Sequence, residues 1–311
     1  MLDLARLKKV RLSRVPWGHL VVAHCLLRWN FAIPKTELVL EGLENLPDQP
    51  CLLGMNHTDM YNYFPLQYLF YLNKRPFTAT WVKGKYYHNR FVSFFLECTN
   101  NIPLPSRGYL LTHDFRRAAG RRPSDSEYRA IRDALDSGDS SQLPPELGQG
   151  YLERFEERWE AMVGEIDRLN QEALFEHRTN VLVFPQGTRS RRLSEGHTGI
   201  AQTALHLRVP IVPIGCNGSD RVYPDNYPLS RGGRIVYRIG KPIEPDSPEL
   251  APYRIDEPFM PLTRGAARQH GERFRAVTDL VMDRVNELLD EPYRYAEDRR
   301  SQGVQGVDRF M

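Results

Sequence analysis

The sequence predicts an α/β fold, a central mixed and largely parallel sheet flanked by helices, on three observations. Short apolar, strand-like runs stand at residues 37–40, 51–55, 77–82, 181–184, 211–216 and 234–239. They alternate with stretches whose apolar residues repeat at helical spacing, the pattern of strands joined through helices. A length of 311 residues with 41% hydrophobic content is enough to bury one large core.

Each element follows from local pattern. The amino-terminal 1–35 segment opens with a basic run at 7–14. Residues 16–33 then turn rich in Trp, Leu, Val and Phe. His19, His24, Arg28 and Asn30 interrupt it, so it is too polar for a transmembrane span, which needs about 20 mainly apolar residues. Two readings remain open. In one, an amphipathic helix lies on a membrane surface, its basic residues at anionic headgroups and Trp17, Leu20, Leu27 and Phe31 in the acyl boundary. In the other, the same helix packs on the protein's own core. Residues 61–72 are apolar after a polar turn. Residues 151–175 carry Phe155, Trp159, Met162, Ile166 and Leu169 at helical spacing, and Phe274, Val277, Val281, Val285 and Leu288 repeat the pattern near the end. Both read as core-facing helices. The polar stretch 291–311 is expected to be a disordered tail.

Composition excludes several classes. A net charge of +3 without a concentrated basic stripe argues against nucleic-acid binding. Cys25, Cys51, Cys98 and Cys216 are scattered, with no Cys-x-x-Cys pair or Cys/His cluster, so no metal site or disulfide framework is expected. Four buried thiols in a reducing compartment is the simpler expectation. His113 with Asp114, and His197, are candidates by residue type alone and lie outside any strand-turn setting.

Two segments carry chemistry. Asn56-His57-Thr58-Asp59-Met60-Tyr61-Asn62 follows the strand-like 51–55 run and precedes an apolar helix, which puts His57 at a strand-to-helix junction. Phe184-Pro185-Gln186-Gly187-Thr188-Arg189-Ser190 follows the 181–184 run. Its Pro-x-Gly pair turns the chain so that Thr188 and Arg189 stand at a strand end. Strand ends are where open α/β sheets bind ligands.

These blocks resemble the glycerolipid, lysophosphatidic-acid type acyltransferase superfamily, whose members carry Asn-His-x-x-x-x-Asp and Phe-Pro-Glu-Gly-Thr-Arg in this order. Two further blocks, Val209-Pro210-Ile211-Val212-Pro213-Ile214 and Gly240-Lys241-Pro242-Ile243, extend the resemblance from about residue 36 to about 245. It departs at two carboxylates, since Asn62 stands in place of the Asp and Gln186 in place of the Glu. The family's Gly-x-x-Phe-Ile-x-Arg block has only Arg107 as a counterpart.

The resemblance implies an acyltransferase domain at 36–290, with residues 109–150 inserted relative to compact members as a lid, a docking surface or an idle loop. It implies transfer of a fatty acyl group from acyl-CoA or acyl carrier protein to a hydroxyl of a lysophospholipid or glycerol-phosphate-type acceptor. No bound cofactor is needed, and the expected location is the cytoplasmic, inner face of a membrane. His57 is the expected general base, because imidazole titrates near neutrality. Asn62 leaves two alternatives, a crippled site or a rearranged one, since an Asp-to-Asn change beside the serine-protease His lowers turnover about 10⁴-fold through the wrong tautomer. Asp59 either replaces the missing carboxylate or caps the next helix. Arg189, with Gly187, Thr188, Gln186 and Arg107, is the expected phosphate site, because guanidinium grips phosphate oxygens in pairs. Gln186 can instead brace its loop. Arg191 and Arg192 extend the positive field or form a solvated loop. The alternatives are a catalytically impaired protein that binds lipid or acyl thioester, and an acyltransferase for a different hydroxyl.

Overall fold

The computed structural model describes residues 2–225 and 227–300. Among them, seven strands form one sheet: β1 (Thr36–Glu41), β2 (Leu52–Met55), β3 (Ala79–Lys83), β4 (Asn101–Leu104), β5 (Val181–Val183), β6 (Ile211–Asn217) and β7 (Gly233–Ile239). Their order is β1-β7-β6-β2-β5-β3-β4. The five strands from β6 to β4 run parallel, and β7 with β1 runs the other way, so the sheet is mixed but largely parallel. β4 is the strand that pattern alone does not reveal. Pro103 interrupts it, and an edge position tolerates the missing N–H.

The middle strands are buried on both faces, and period-two alternation divides their side chains between two cores. Leu52, Val181, Val183 and Ile211 join one core with the helices Arg107–Ala119, Asp125–Ser137, Tyr151–Gln171 and Arg264–Glu287. Leu53, Met55, Leu182, Val212 and Ile214 join the other, against the helix Phe64–Leu72. Burying the sheet this way leaves its carboxyl edge as the place where loops from β2 and β5 emerge together.

The amino-terminal helix runs Trp17–Val21, continues through a π-helical turn at Val22–Leu27 and ends with Arg28–Ala32. Val22, Leu27 and Phe31 pack into the second core beside Phe64 and Phe70. That corrects the expectation that Leu27 and Phe31 meet lipid, because the sheet's second face needs cover and they supply it. Trp17 faces outward, with Val21 and Trp29. The preceding basic stretch is strapped down: Leu12 N–H donates to Glu172 Oε1 at 3.0 Å, and Ser13 exchanges hydrogen bonds with the Asn100 side chain.

Residues 109–150 are no idle loop. They supply most of one helix and all of a second, with Phe115, Ile131 and Leu135 buried in the first core. The expected disordered tail is also ordered at its start. Tyr293 is fully buried, its carbonyl accepts from Leu193 N–H at 2.8 Å and its hydroxyl donates to Asp220 at 2.7 Å. The rest of that expectation, 301–311, lies outside the described residues. All four cysteines are free, but only Cys51 and Cys216 are buried, since Cys25 sits on the outward side of its helix and Cys98 at a helix end.

Gly18 shows how tightly the amino-terminal helix meets its neighbour, Arg90–Cys98: a Cβ there would lie 2.4 Å from the Cys98 carbonyl oxygen. Gly18→Ala is therefore expected to cost about 1–3 kcal/mol of stability, as overpacking against backbone does, seen as a lower Tm in thermal unfolding.

Candidate active site

The site is assembled by sheet register. β2 pairs with β5 in parallel, Gly54 opposite Val183, so His57 and Gln186 each lie three residues past that pair on the same edge. The two turns are then stitched together: His57 N–H donates to Gln186 Oε1 at 2.9 Å, and Ser190 N–H donates to the His57 carbonyl at 2.8 Å. The His57 ring stacks on Phe184, centroids 4.2 Å apart. Asn56 clips the first turn to β6, its buried amide exchanging hydrogen bonds of 2.9 and 2.7 Å with the Cys216 backbone.

Asn62 holds the imidazole. Its Nδ2 donates to the Asn56 carbonyl at 2.9 Å, which turns Oδ1 toward His57 Nδ1 at 3.2 Å. A carbonyl oxygen can only accept, so Nδ1 carries the proton and Nε2 keeps its lone pair. That is the tautomer a general base needs, and the amide supplies it because a second hydrogen bond fixes which way it points. The Tyr237 hydroxyl, donating to the Asn62 carbonyl at 2.5 Å, anchors the backbone there.

Electrostatics favour the neutral imidazole. Burial lowers its pKa to about 3, the hydrogen bond to Asn62 opposes the shift, and the charges of Arg189 and Lys83 add to it. Lys83 ends β3, the strand beside β5, and Lys85 feels the Arg189 charge too. Neither lysine stands out in the sequence. Their relevance comes from β3 being next to β5, and the only local hint is Lys83-Gly84-Lys85 directly after a strand-like run.

The remaining expected residues divide. Gly187 adopts φ +66°, within a turn closed by its N–H to the Phe184 carbonyl at 3.0 Å, and a Cβ there would sit 2.6 Å from the His197 ring. Glycine is needed on both counts. His197, which no strand-turn pattern singles out, thus lies on this loop, whereas His113 packs beside Tyr109. Thr188 N–H bonds to the Gln186 carbonyl at 2.7 Å, and Arg189 is exposed, in no ion pair among the described residues. Gln186 is a brace: its buried Nε2 donates to the Arg192 carbonyl and Ser194 hydroxyl at 3.3 and 3.2 Å while Oε1 serves His57, which leaves it nothing for a phosphate. A glutamate could not make those donations. Arg191 and Arg192 pair with Asp220 and Glu291.

Two expected roles are corrected. Arg107 is bound to Glu156, with its guanidinium 5.6 and 5.7 Å from the Phe155 and Trp159 rings, because β3 separates β4 from β5 and leaves the start of the next helix facing Tyr151–Gln171. Asp59 neither orients His57 nor caps the next helix, Phe64–Leu72, whose N-cap is Tyr63. The Asp59 carboxylate accepts from Tyr61 N–H at 2.8 Å and from the Thr58 hydroxyl at 2.9 Å, closing the turn. Burial raises its pKa, opposed by Ser219, Tyr61 and Thr58. Among the described residues no group of His, Cys, Asp and Glu is arranged to hold a metal.

A neutral histidine at a parallel strand end, with the Gly-Thr-Arg turn beside it, is the centre of this cluster. Residues 37–217 match the family described as Acyltransferase, and the chain belongs to that family. Among solved structures, the chain is similar to the 1-acyl-sn-glycerophosphate (LPA) acyltransferase PlsC from Thermotoga maritima. That likeness has 17% identity and a TM-score of 0.44, covers 92% of this chain and 86% of that one, and is too loose to carry residue roles across. No curated protein sequence matches.

Asp59→Ala is expected to cost about 1–3 kcal/mol of stability, seen as a lower Tm, through the turn donors it leaves unpaired, with turnover per folded molecule unchanged. Thermal melts beside active-site titration check this, and a turnover loss exceeding the stability loss would return Asp59 to the chemistry.

Proposed function

We propose that this acyltransferase moves a fatty acyl group from acyl-CoA or an acyl carrier protein to a hydroxyl of a lysophospholipid or glycerol-phosphate-type acceptor. The observation that carries the reading is the His57–Asn62–Asn56 chain of hydrogen bonds, which leaves an imidazole lone pair open at a cationic strand edge. The acceptor's phosphate is held by Arg189, with Lys83 and Lys85 shaping the field. His57 Nε2 takes the hydroxyl proton as the oxygen attacks the thioester carbonyl. The tetrahedral intermediate then expels the thiolate, which receives that proton from the imidazolium.

What Asn62 cannot do is stabilise that imidazolium with charge. The tautomer penalty of the serine-protease change does not apply here, so the remaining deficit is electrostatic. The π face of Phe184 against the ring offsets part of it. We place the protein at the inner face of a membrane, a reading supported by four free thiols and by its lipid substrate. No helix among the described residues is long and apolar enough to cross a membrane.

The experiment is acyl transfer by the purified protein from mixed acyl-CoAs, and from acyl carrier protein, to a panel of lysolipids, read by mass spectrometry beside His57→Ala. Product that vanishes in the variant supports the reading; none from the unaltered protein with either donor overturns it in favour of a lipid-binding role.

The pH profile is a second check. With its pKa held low, neutral His57 persists through pH 5, so kcat/KM is expected not to fall between pH 7 and 5 as an unperturbed imidazole of pKa ~6.5 would make it. Asn62→Asp adds a negative charge that raises the His57 pKa. The acid limb should move up toward neutrality, and kcat at pH 8 should rise about 10- to 100-fold. An unchanged limb with no gain would mean that the turn is rebuilt around the amide.

A further inference from the structure

The loop that carries Arg189 has no regular structure of its own. Between β5 and the helix Gly199–Leu207, residues 184–198 form neither strand nor helix, yet Leu193 and Ser194 within them are buried. Backbone groups in such a loop must find partners elsewhere, and loops of this length are ordinarily functional. Within the site it is tied through Ser190 to the His57 carbonyl and through the Gln186 side chain. Its other ties run to the segment that follows the helix Arg264–Glu287. Leu193 N–H donates to the Tyr293 carbonyl at 2.8 Å, Glu195 N–H donates to the Arg299 carbonyl at 3.1 Å, and Arg192 pairs with Glu291.

That segment hangs in turn on β6. The Asn217 side chain donates to the Leu288 carbonyl at 3.2 Å and accepts from Asp290 N–H at 2.7 Å. Asn217 follows Cys216, whose backbone holds Asn56 and with it the His57 turn. Adjacent residues of one strand therefore fix both turns of the site, the first directly and the second through the carboxyl-terminal segment.

Tyr293 is where this strap grips the loop. It is fully buried, and its ring shares a small core with Leu193, Met282, Val285 and Leu289. Its hydroxyl donates to Asp220 Oδ1 at 2.7 Å and accepts from Arg221 Nε at 3.3 Å. The other oxygen of Asp220 lies 3.7 Å from the Nε of Arg191, two residues beyond Arg189. Tyr293 thus reaches the loop twice, by its carbonyl at Leu193 and by its hydroxyl through Asp220 at Arg191. Neither tie involves the His57 ring, which Asn62 sets. Burial and the Asp220 carboxylate push the Tyr293 pKa up to about 12, so the hydroxyl keeps its proton at neutral pH.

We propose that Tyr293 is a positioning residue for Arg189, holding the loop where the guanidinium meets the acceptor's anionic group and so setting affinity for that group. The inference rests on the phosphate-binding reading of Arg189 above. Guanidinium grips phosphate oxygens as a fixed fork, so a small displacement of the loop costs affinity that a point charge would keep.

The test is titration calorimetry with glycerol 3-phosphate on the full chain, comparing Tyr293→Phe, Arg189→Ala and the double variant below their Tm. Tyr293→Phe keeps the ring in its core and loses only the hydroxyl. It should weaken Kd about 5- to 10-fold, the worth of a hydrogen bond made to a charged network. The double variant should bind no more weakly than Arg189→Ala alone, because a residue that acts through Arg189 has nothing left to position. Gly18→Ala, which loosens a contact outside this site, is the stability control and should leave Kd unchanged. In acyl transfer, Tyr293→Phe should raise KM for lysophosphatidic acid while kcat and the acid limb of the pH profile stay put, a split that simple loss of folded protein does not produce. A Tyr293→Phe Kd equal to that of the unaltered protein, with Arg189→Ala weakened, overturns the proposal and leaves the acceptor reading standing. Weakening that adds in the double variant, or that Gly18→Ala reproduces, overturns it as well. An unaltered protein that binds no glycerol 3-phosphate sinks both this inference and the phosphate reading. Coupled binding with no acyl transfer to any acceptor would uphold the positioning role and sink the transfer reading alone.

Discussion

The parallel pairing of β2 with β5 is the constraint on which everything else in this molecule rests. Two turns 129 residues apart in sequence, each ordinary by itself, are brought side by side by it, and two hydrogen bonds through His57 backbone atoms then fix their relative height. Those bonds are made at the mouth of a sheet buried on both faces, where an unpaired amide is costly. The site is therefore rigid because the sheet's own hydrogen-bond accounting ends there. Asn56, extending the pairing to β6, shows the same logic, since it continues the ladder with a side chain where the backbone has turned away.

Within that frame the amides are matched to their neighbours. Asn62 faces a carbonyl on one side and an imidazole on the other, and Gln186 faces a backbone N–H on one side and a carbonyl with a hydroxyl on the other. Each environment uses a donor and an acceptor together, which a carboxylate cannot offer. The consequence is an imidazole held with its proton on Nδ1 but with little help in carrying charge. Arg189 and Lys83 push in the same direction, lowering the pKa.

The division of the amino-terminal helix between two environments follows from the same geometry. One side must cover the sheet, which claims Val22, Leu27 and Phe31. The other side meets the helix Arg90–Cys98, through Gly18 against Cys98 and Trp17 beside Phe94. Of the two open readings of this segment, packing on the protein's own core describes the sheet-covering side, while Trp17, Val21 and Trp29 stay exposed on the other.

The sequence by itself determined the α/β class, because burial in a parallel sheet demands continuous apolar strands that composition displays, and it located His57 and Arg189, because turn-forming residues directly after such strands mark a sheet edge. β4 escaped, since an edge strand interrupted by proline carries no apolar signal. The partners of those site residues belonged to tertiary structure. Whether Asp59 or Asn62 reached the imidazole depended on the path of one turn. Whether Gln186 met substrate or braced a loop depended on a carbonyl six residues away. That Lys83 joins the site while Arg107 is spent on Glu156 depended on strand order, β3 lying next to β5 and β4 beyond it. Local pattern reports which residues leave the sheet's edge, but neighbours across the sheet are set by nonlocal pairing, and the charge felt by His57 is the sum over those neighbours.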